Sequence, residues 1–168
     1  MADFEFFKKE FEFEGKHARM VSELWSKDDF EHTYFKRAID VYVFAAIIGI
    51  RLDRKARRDY SPVETRSILP DQMIKAKEDL DFIMQMMIML ESDSDKTDEE
   101  KVREAFKGAQ TKEEYDRLMK TFNDYVRGGV EELYERLIEQ KPGSEGKFYD
   151  ERTANLMGLY ERFVPREE

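Results

Sequence analysis

The chain is most apolar in the stretch Tyr34-Phe-Lys-Arg-Ala-Ile-Asp-Val-Tyr-Val-Phe-Ala-Ala-Ile-Ile-Gly-Ile50. From Ala38 to Ile50 only Asp40 carries a charge. The run is shorter than the roughly 20 apolar residues that a membrane-spanning helix needs. It therefore predicts a central helix over 34–50 that is buried on most of its circumference and ends at Gly49. Small residues at positions 38, 45, 46 and 49 would let neighbouring helices approach it closely.

Amphipathic helical patterns lie on both sides of this stretch. One begins at Gly15, and another runs from Pro70 to about Leu90. The second contains a group of methionines at positions 84, 86, 87 and 89, which would serve either as adaptable core packing or as an exposed docking surface. The patterns together predict an all-α protein, a compact irregular multi-helix bundle of about seven helices around the central helix. The length of 168 residues suits a single helical domain over 1–168.

Local signals also mark where the later helices begin and end. Capping boxes, in which a threonine precedes a glutamate by three residues, should open two helices: Thr97 with Glu100, and Thr111 with Glu114. The pair Gly128-Gly129 is expected to break or bend the second of these helices. A loop is expected over 141–146, and a last helix over 148–163.

The N-terminal residues 1–13 form a phenylalanine-rich arm. Phe11, Glu12 and Phe13 alternate as in a strand, whereas Phe4, Phe7 and Phe11 have helical spacing, so the pattern leaves both conformations open. A strand would need a pairing partner, and the sequence does not point to one. The arm is expected either to dock on the helical body of its own chain or to be exchanged between the copies of a homo-oligomer.

Composition limits the function classes. Charged residues make up 40% of the chain and the net charge is −9, so only a local basic patch would attract nucleic acid. The absence of cysteine excludes disulfides, thiolate zinc sites and cysteine catalysis, and it fits a reducing compartment. The N-terminus lacks the basic and apolar regions of a signal peptide, so we expect a cytoplasmic protein with no membrane contact. The known phosphate-loop, serine-elbow and zinc-protease motifs do not occur, and we predict no catalytic residue and no cofactor.

A basic run follows the central stretch and is the main candidate for a partner-binding or phosphate-binding site. Its members, with one further arginine, are Arg51, Arg54, Lys55, Arg57, Arg58 and Arg66. If the helix continues, the residues at 51, 54, 55 and 58 share one face, which could grip an acidic protein partner or follow a phosphate backbone. The alternative is a solvated face whose cations pair with the many carboxylates of the chain itself.

Two histidines each follow a carboxylate by three residues, in Glu14-Gly-Lys-His17 and Asp29-Phe-Glu-His32. Helical proteins that hold two metal ions use Glu-x-x-His on two helices and a glutamate on each of two others. The candidate ligands are therefore Glu14, His17, Asp29 and His32. No inward-facing glutamates that would complete such a site stand out in the later helices.

The segment Phe35-Lys-Arg-Ala-Ile-Asp-Val-Tyr-Val-Phe-Ala-Ala-Ile-Ile-Gly-Ile-Arg51 resembles a segment of small accessory proteins encoded beside bacterial DNA phosphorothioation and related genome-defence systems. There too a phenylalanine precedes an apolar helix that ends in an Ala-Ala…Gly step and a basic residue. The resemblance implies an accessory role in a defence assembly without independent catalysis.

Three function hypotheses follow from these observations. The first is a non-enzymatic adaptor that binds a protein partner, through the basic run and the aromatic arm. The second is a subunit that contacts nucleic acid through the basic 51–58 segment. The third is a di-metal helical protein.

Overall fold

Seven helices and one pair of short strands make up the part of the chain that the structure describes. This computed structural model describes residues 4–25, 33–62, 64–92, 94–139 and 151–163. The elements in chain order are β1 (Phe11–Glu14), α1 (Gly15–Leu24), α2 (Ala38–Arg51), β2 (Thr65–Ile68), α3 (Pro70–Lys75), α4 (Lys77–Leu90), α5 (Asp98–Lys107), α6 (Lys112–Tyr134) and α7 (Glu151–Phe163). A π-helical turn, Glu135–Glu139, extends α6. The predicted all-α class is confirmed, with the strand pair as a small addition.

The central helix α2 packs most extensively against α6. The two backbones come so close that a Cβ on Gly49 would lie 2.0 Å from the carbonyl oxygen of Tyr125. A Cβ on Gly128 would likewise lie 2.0 Å from the carbonyl oxygen of Arg54. The expected break at Gly128-Gly129 is therefore wrong: α6 runs unbroken through both glycines, because they make room for the crossing chain.

The bounds of α2 differ from the expected 34–50. The helix begins at Ala38, because Arg37 before it has an extended backbone with φ −143° and ψ 151°. It ends at Arg51, so Gly49 lies inside the helix and does not terminate it.

The described part of the N-terminal arm docks on its own chain, and only its last residues form a strand. β1 pairs antiparallel with β2, with Phe11 opposite Ile68 and Glu14 opposite Thr65. The phenylalanines of the arm that enter the core are Phe6, Phe7, Phe11 and Phe13. The ring of Phe7 meets that of Phe122 edge-on at 4.8 Å, so the arm joins the core around α2 and α6. These four phenylalanines are thus unavailable for the partner contact that the sequence suggested.

The predicted helix over 70–90 is divided at Ala76 into α3 and α4. Met84 and Met87 are buried, and Met86 is 37% exposed, so the methionine group serves mainly as core packing. Both predicted threonine caps are present: the hydroxyl of Thr97 accepts a hydrogen bond from the Glu100 backbone, and that of Thr111 accepts one from the Glu114 backbone. The loop expected over 141–146 lies outside the described residues.

Candidate partner-binding site

The basic run leaves the helix as soon as α2 ends. Asp53 has a left-handed backbone (φ 50°), its N–H donates to the carbonyl of Ile50, and the N–H of Arg54 donates to the carbonyl of Gly49. This pair of bonds is a Schellman motif, in which a residue with positive φ closes a helix. The chain then continues in non-helical conformation to residue 62. The cations at 51, 54, 55 and 58 therefore do not share a helical face, and that expectation is wrong.

Arg54 turns inward and binds three glutamates of the α6 end. Its guanidinium donates to Glu132 at 2.7 Å, to Glu135 at 2.7 and 2.8 Å, and to Glu131 at 3.3 Å. Glu132 is buried, and it also accepts hydrogen bonds from Arg136 at 3.2 Å and pairs with Arg162 at 2.9 Å. The hydrogen bond from Arg54 holds the pKa of Glu135 below its ordinary value. Arg54 thus anchors the segment after α2 to the end of α6.

Arg58 ties the same segment to the first strand. Its guanidinium donates to both carboxylate oxygens of Glu14 at 2.6 Å, and this bidentate bond lowers the pKa of Glu14. The next residue, Asp59, accepts the backbone N–H of Lys16 at 2.7 Å in the first turn of α1. That bond and those from Ser61 lower the pKa of Asp59 to about 2. Two members of the basic run, Arg54 and Arg58, are therefore engaged in ion pairs with carboxylates of the same chain.

The other four candidate residues are exposed: Arg51, Lys55, Arg57 and Arg66. The ammonium of Lys55 lies 4.9 Å from the ring centroid of Tyr125, and Arg66 donates to the hydroxyl of Ser22 at 2.8 Å. Among the described residues, none of the four forms an ion pair. Lys55, Arg57 and Arg58 also line one shallow depression, together with Lys16.

The candidate metal ligands do not converge in the described part of the chain. Both oxygens of Glu14 bind Arg58, and Nε2 of His17 lies 2.9 Å from a carboxylate oxygen of Glu131. Burial lowers the pKa of His17, so its neutral imidazole donates Nε2–H to the carboxylate. Asp29 and His32 lie outside the described residues. Within the ranges described, no group of three or more histidine, aspartate or glutamate side chains is placed to hold a metal ion.

A second surface, which the sequence did not reveal, lies between α2 and α4. Phe44 and Ile47 on the outer side of α2 are 42% and 45% exposed, and Phe82 on α4 is 62% exposed. Two neighbouring depressions share Val43 and Asp79 as lining residues and so form one continuous trough. We call this surface the α2–α4 trough and define it by Phe35, Val43, Phe44, Ile47, Asp79 and Phe82.

The charge along the trough is uneven. The part next to Ile47 and Phe82 is lined by three carboxylates, Glu78, Asp79 and Asp81, and by no lysine or arginine. Asp81 pairs with Lys77 at 2.5 Å, whereas Glu78 and Asp79 have no ion-pair partner among the residues described. The part next to Phe35 and Phe44 contains Arg37 and Lys75.

Sequence periodicity could not identify the trough, because an apolar helix face looks the same whether the protein covers it or leaves it open. A partial signal existed on α4. Phe82 and Met86 are one turn apart and fall outside the stripe of buried residues at 80, 83, 84, 87 and 88. Large apolar side chains off the core stripe indicate a second apolar face.

The fold and this surface define a mostly helical protein with an exposed apolar trough and an arginine-anchored segment. Residues 13–149 match the family model of DNA sulphur modification system-associated protein 4. The match covers more than half of the chain, and the protein belongs to this family. The resemblance to phosphorothioation accessory proteins, read from residues 35–51, is confirmed. No curated protein and no solved structure matches the chain. Among the described helices, none is both long enough and apolar enough to cross a membrane.

Proposed function

We propose that this protein is a non-enzymatic accessory subunit that binds a protein partner within a DNA sulphur modification assembly of a bacterial defence system. The family supports the biological context. The observation that carries the binding role is the exposed apolar side of the central helix, where Phe44 and Ile47 face the trough beside Phe82.

The physical argument is that a partner that covered these exposed apolar side chains would gain hydrophobic free energy. Fully burying one phenylalanine or isoleucine side chain contributes about 1.5–3 kcal/mol relative to leaving it exposed. Several large apolar side chains that share one trough provide the compact apolar centre that protein interfaces use. The aromatic arm offers little such surface, because four of its five phenylalanines are already buried.

The test is co-purification from native cells, with the tagged protein expressed beside the other proteins of its modification system and with nuclease treatment throughout. The variant Phe44→Ser/Phe82→Ser should lose the partner that the wild-type protein retains. The control Phe106→Ser/Tyr160→Ser removes two aromatic side chains that are 68% and 70% exposed elsewhere, and it should retain the partner. Each variant should stay within about 1 kcal/mol of wild-type stability, because surface substitutions rarely cost more. Equal retention by all three proteins would contradict a binding role for the trough.

A second candidate function is contact with nucleic acid, supported by the exposed cations Lys55 and Arg57 in their shared depression. Charge reversal should be made at these two positions, because reversal of Arg54 or Arg58 would break internal ion pairs. Lys55→Glu/Arg57→Glu should weaken DNA binding and lower the slope of log affinity against log salt by about 2. The control Lys101→Glu/Lys107→Glu on α5 should leave the slope unchanged. A partner that is lost on nuclease treatment would favour this function over the first.

A further inference from the structure

We propose that the α2–α4 trough receives an amphipathic helix of the partner protein, with its apolar stripe in the trough and its Lys or Arg residues against Glu78 and Asp79. This inference rests on the proposed function and specifies the chemistry of the partner.

The shape of the trough favours a helix over other occupants. Along α2 the lining of the trough runs from Ile39 to Ile47, a length of about 12 Å at 1.5 Å per residue, or about two helical turns. Side-chain ridges of a third helix fit the groove between two others, and such recognition uses apolar anchors at i, i+3 or i+4 and i+7. The apolar side chains Phe44, Ile47 and Phe82 supply contacts for two or three such anchors.

The charge of the trough selects a basic partner and orients it. Near Ile47 and Phe82 the lining holds three carboxylates and no cation, and Glu78 and Asp79 have no ion-pair partner among the described residues. Near Phe44 the lining holds two cations, Arg37 and Lys75, and two carboxylates, Asp40 and Asp79, so the charges there balance. A partner helix should therefore place its cations at the Phe82 end, where electrostatic complementarity fixes register and orientation.

A second copy of this chain fits the trough less well. Each copy carries a net charge of −9, and self-association would bring two acidic molecules together. The carboxylates near Phe82 would gain a favourable charge interaction with a second copy only if a local cation of that copy reached them. A basic segment of a different protein satisfies both the apolar surface and the charge.

The experiment uses the full-length protein with a photo-cross-linking benzoylphenylalanine at position 82 or at position 44, expressed in cells that carry the complete modification system. Cross-linked peptides are identified by mass spectrometry. We expect both positions to cross-link to one segment of a protein of that system, with apolar residues at helical spacing. Its Lys or Arg residues should lie nearer the contact of position 82.

A binding measurement with that purified protein tests the charge. Glu78→Lys/Asp79→Lys should weaken affinity at least ten-fold. The matched control is Asp98→Lys/Glu113→Lys, which changes net charge equally and also replaces acidic residues in the first turns of helices, so it should stay within two-fold. Circular dichroism and thermal unfolding of all variants show that the comparison is between folded proteins.

The outcomes separate this inference from the proposed function. Cross-links to the same chain, or to a segment without cations, would overturn the inference. A partner that co-purifies but never cross-links from positions 82 and 44 would overturn the inference while leaving an adaptor role intact. If no protein of the system co-purifies with the wild-type chain, both proposals fail.

Discussion

Gly129 of α6 lies directly against Ala45 of α2, so closely that a Cβ on Gly129 would stand 1.8 Å from the carbonyl oxygen of Ala45. No real Cβ approaches an oxygen at that distance, so a larger residue would force the two helices apart. Gly49 makes the reciprocal contact from α2, against the backbone of Tyr125. The close crossing of α2 and α6 therefore depends on glycines, which have no side chain, as much as on the apolar side chains around them.

Gly129→Ala should destabilise the protein by more than about 2 kcal/mol, because the added methyl group has no free volume and must shift a backbone. The control is Gly158→Ala in α7, where an added Cβ meets no atom within 4 Å. That substitution should be neutral or should stabilise by up to about 1 kcal/mol, through the better helix propensity of alanine. Urea denaturation of both variants measures the difference, and equal stabilities would contradict the close crossing.

Arg54→Met should cost about 2 kcal/mol or more. The substitution keeps much of the side-chain length but leaves buried Glu132 with fewer cationic partners, and an uncompensated buried charge is expensive. The nearby Arg57→Met should change stability by less than about 0.5 kcal/mol, because Arg57 is exposed and lacks an ion pair in the described structure. Thermal and chemical unfolding measure both effects, and a loss of stability in both variants would argue against a specific anchor at Arg54.

Features set by a few neighbouring residues were predictable from the sequence. Thr97 and Thr111 each cap a helix through a backbone N–H three residues away, so the signal and the structure lie within one turn. The apolar central helix was predictable for a similar reason, since its composition alone demands burial.

Features set by distant residues were not predictable. The partner of β1 is Thr65–Ile68, in which only Ile68 is buried, so no alternating pattern marks it as a strand. Asp53 closes α2 with a positive φ at a position that glycine usually occupies, so no glycine in the sequence marks this helix end. The inward turn of Arg54 depends on glutamates about eighty positions away. The candidate site shifted for the same reason: long-range ion pairs engage Arg54 and Arg58 with glutamates of the same chain.

Phe13→Ala should destabilise the protein by about 3–5 kcal/mol, the usual cost of removing a buried phenylalanine. The ring of Phe13 is 1% exposed and meets the ring of Phe11 edge-on at 4.8 Å, so its loss leaves a cavity beneath the strand pair. Phe106→Ala on α5 removes a ring that is 68% exposed and should cost less than about 1 kcal/mol. Denaturant midpoints compare the two, and a small effect at Phe13 would mean that the arm is not part of the core.

The stability of the protein should fall as the pH drops below about 6.5, because His17 is buried beside Glu131. Burial lowers the pKa of His17 from its ordinary 6.5, and the hydrogen bond to Glu131 offsets this only in part. The unfolded chain therefore takes up the proton first, and acid favours unfolding. The free energy of unfolding should decrease by at most about 1.4 kcal/mol per pH unit, until the folded histidine also protonates.

His17→Gln isolates this contribution, because glutamine can donate a hydrogen bond to Glu131 but does not titrate. The variant should lose the slope attributable to His17 and stay flatter than wild type until the pH approaches 4.5, the ordinary pKa of glutamate. Below that value both proteins should lose stability. The reason is that Arg58 and Arg54 lower the pKa values of Glu14 and Glu135 in the folded state. The ion pairs with these arginines stabilise the fold, and they are lost when the two carboxylates protonate. Urea denaturation across about pH 5–7.5 measures the difference between the two proteins. Identical slopes would mean that His17 is not held neutral in the folded protein.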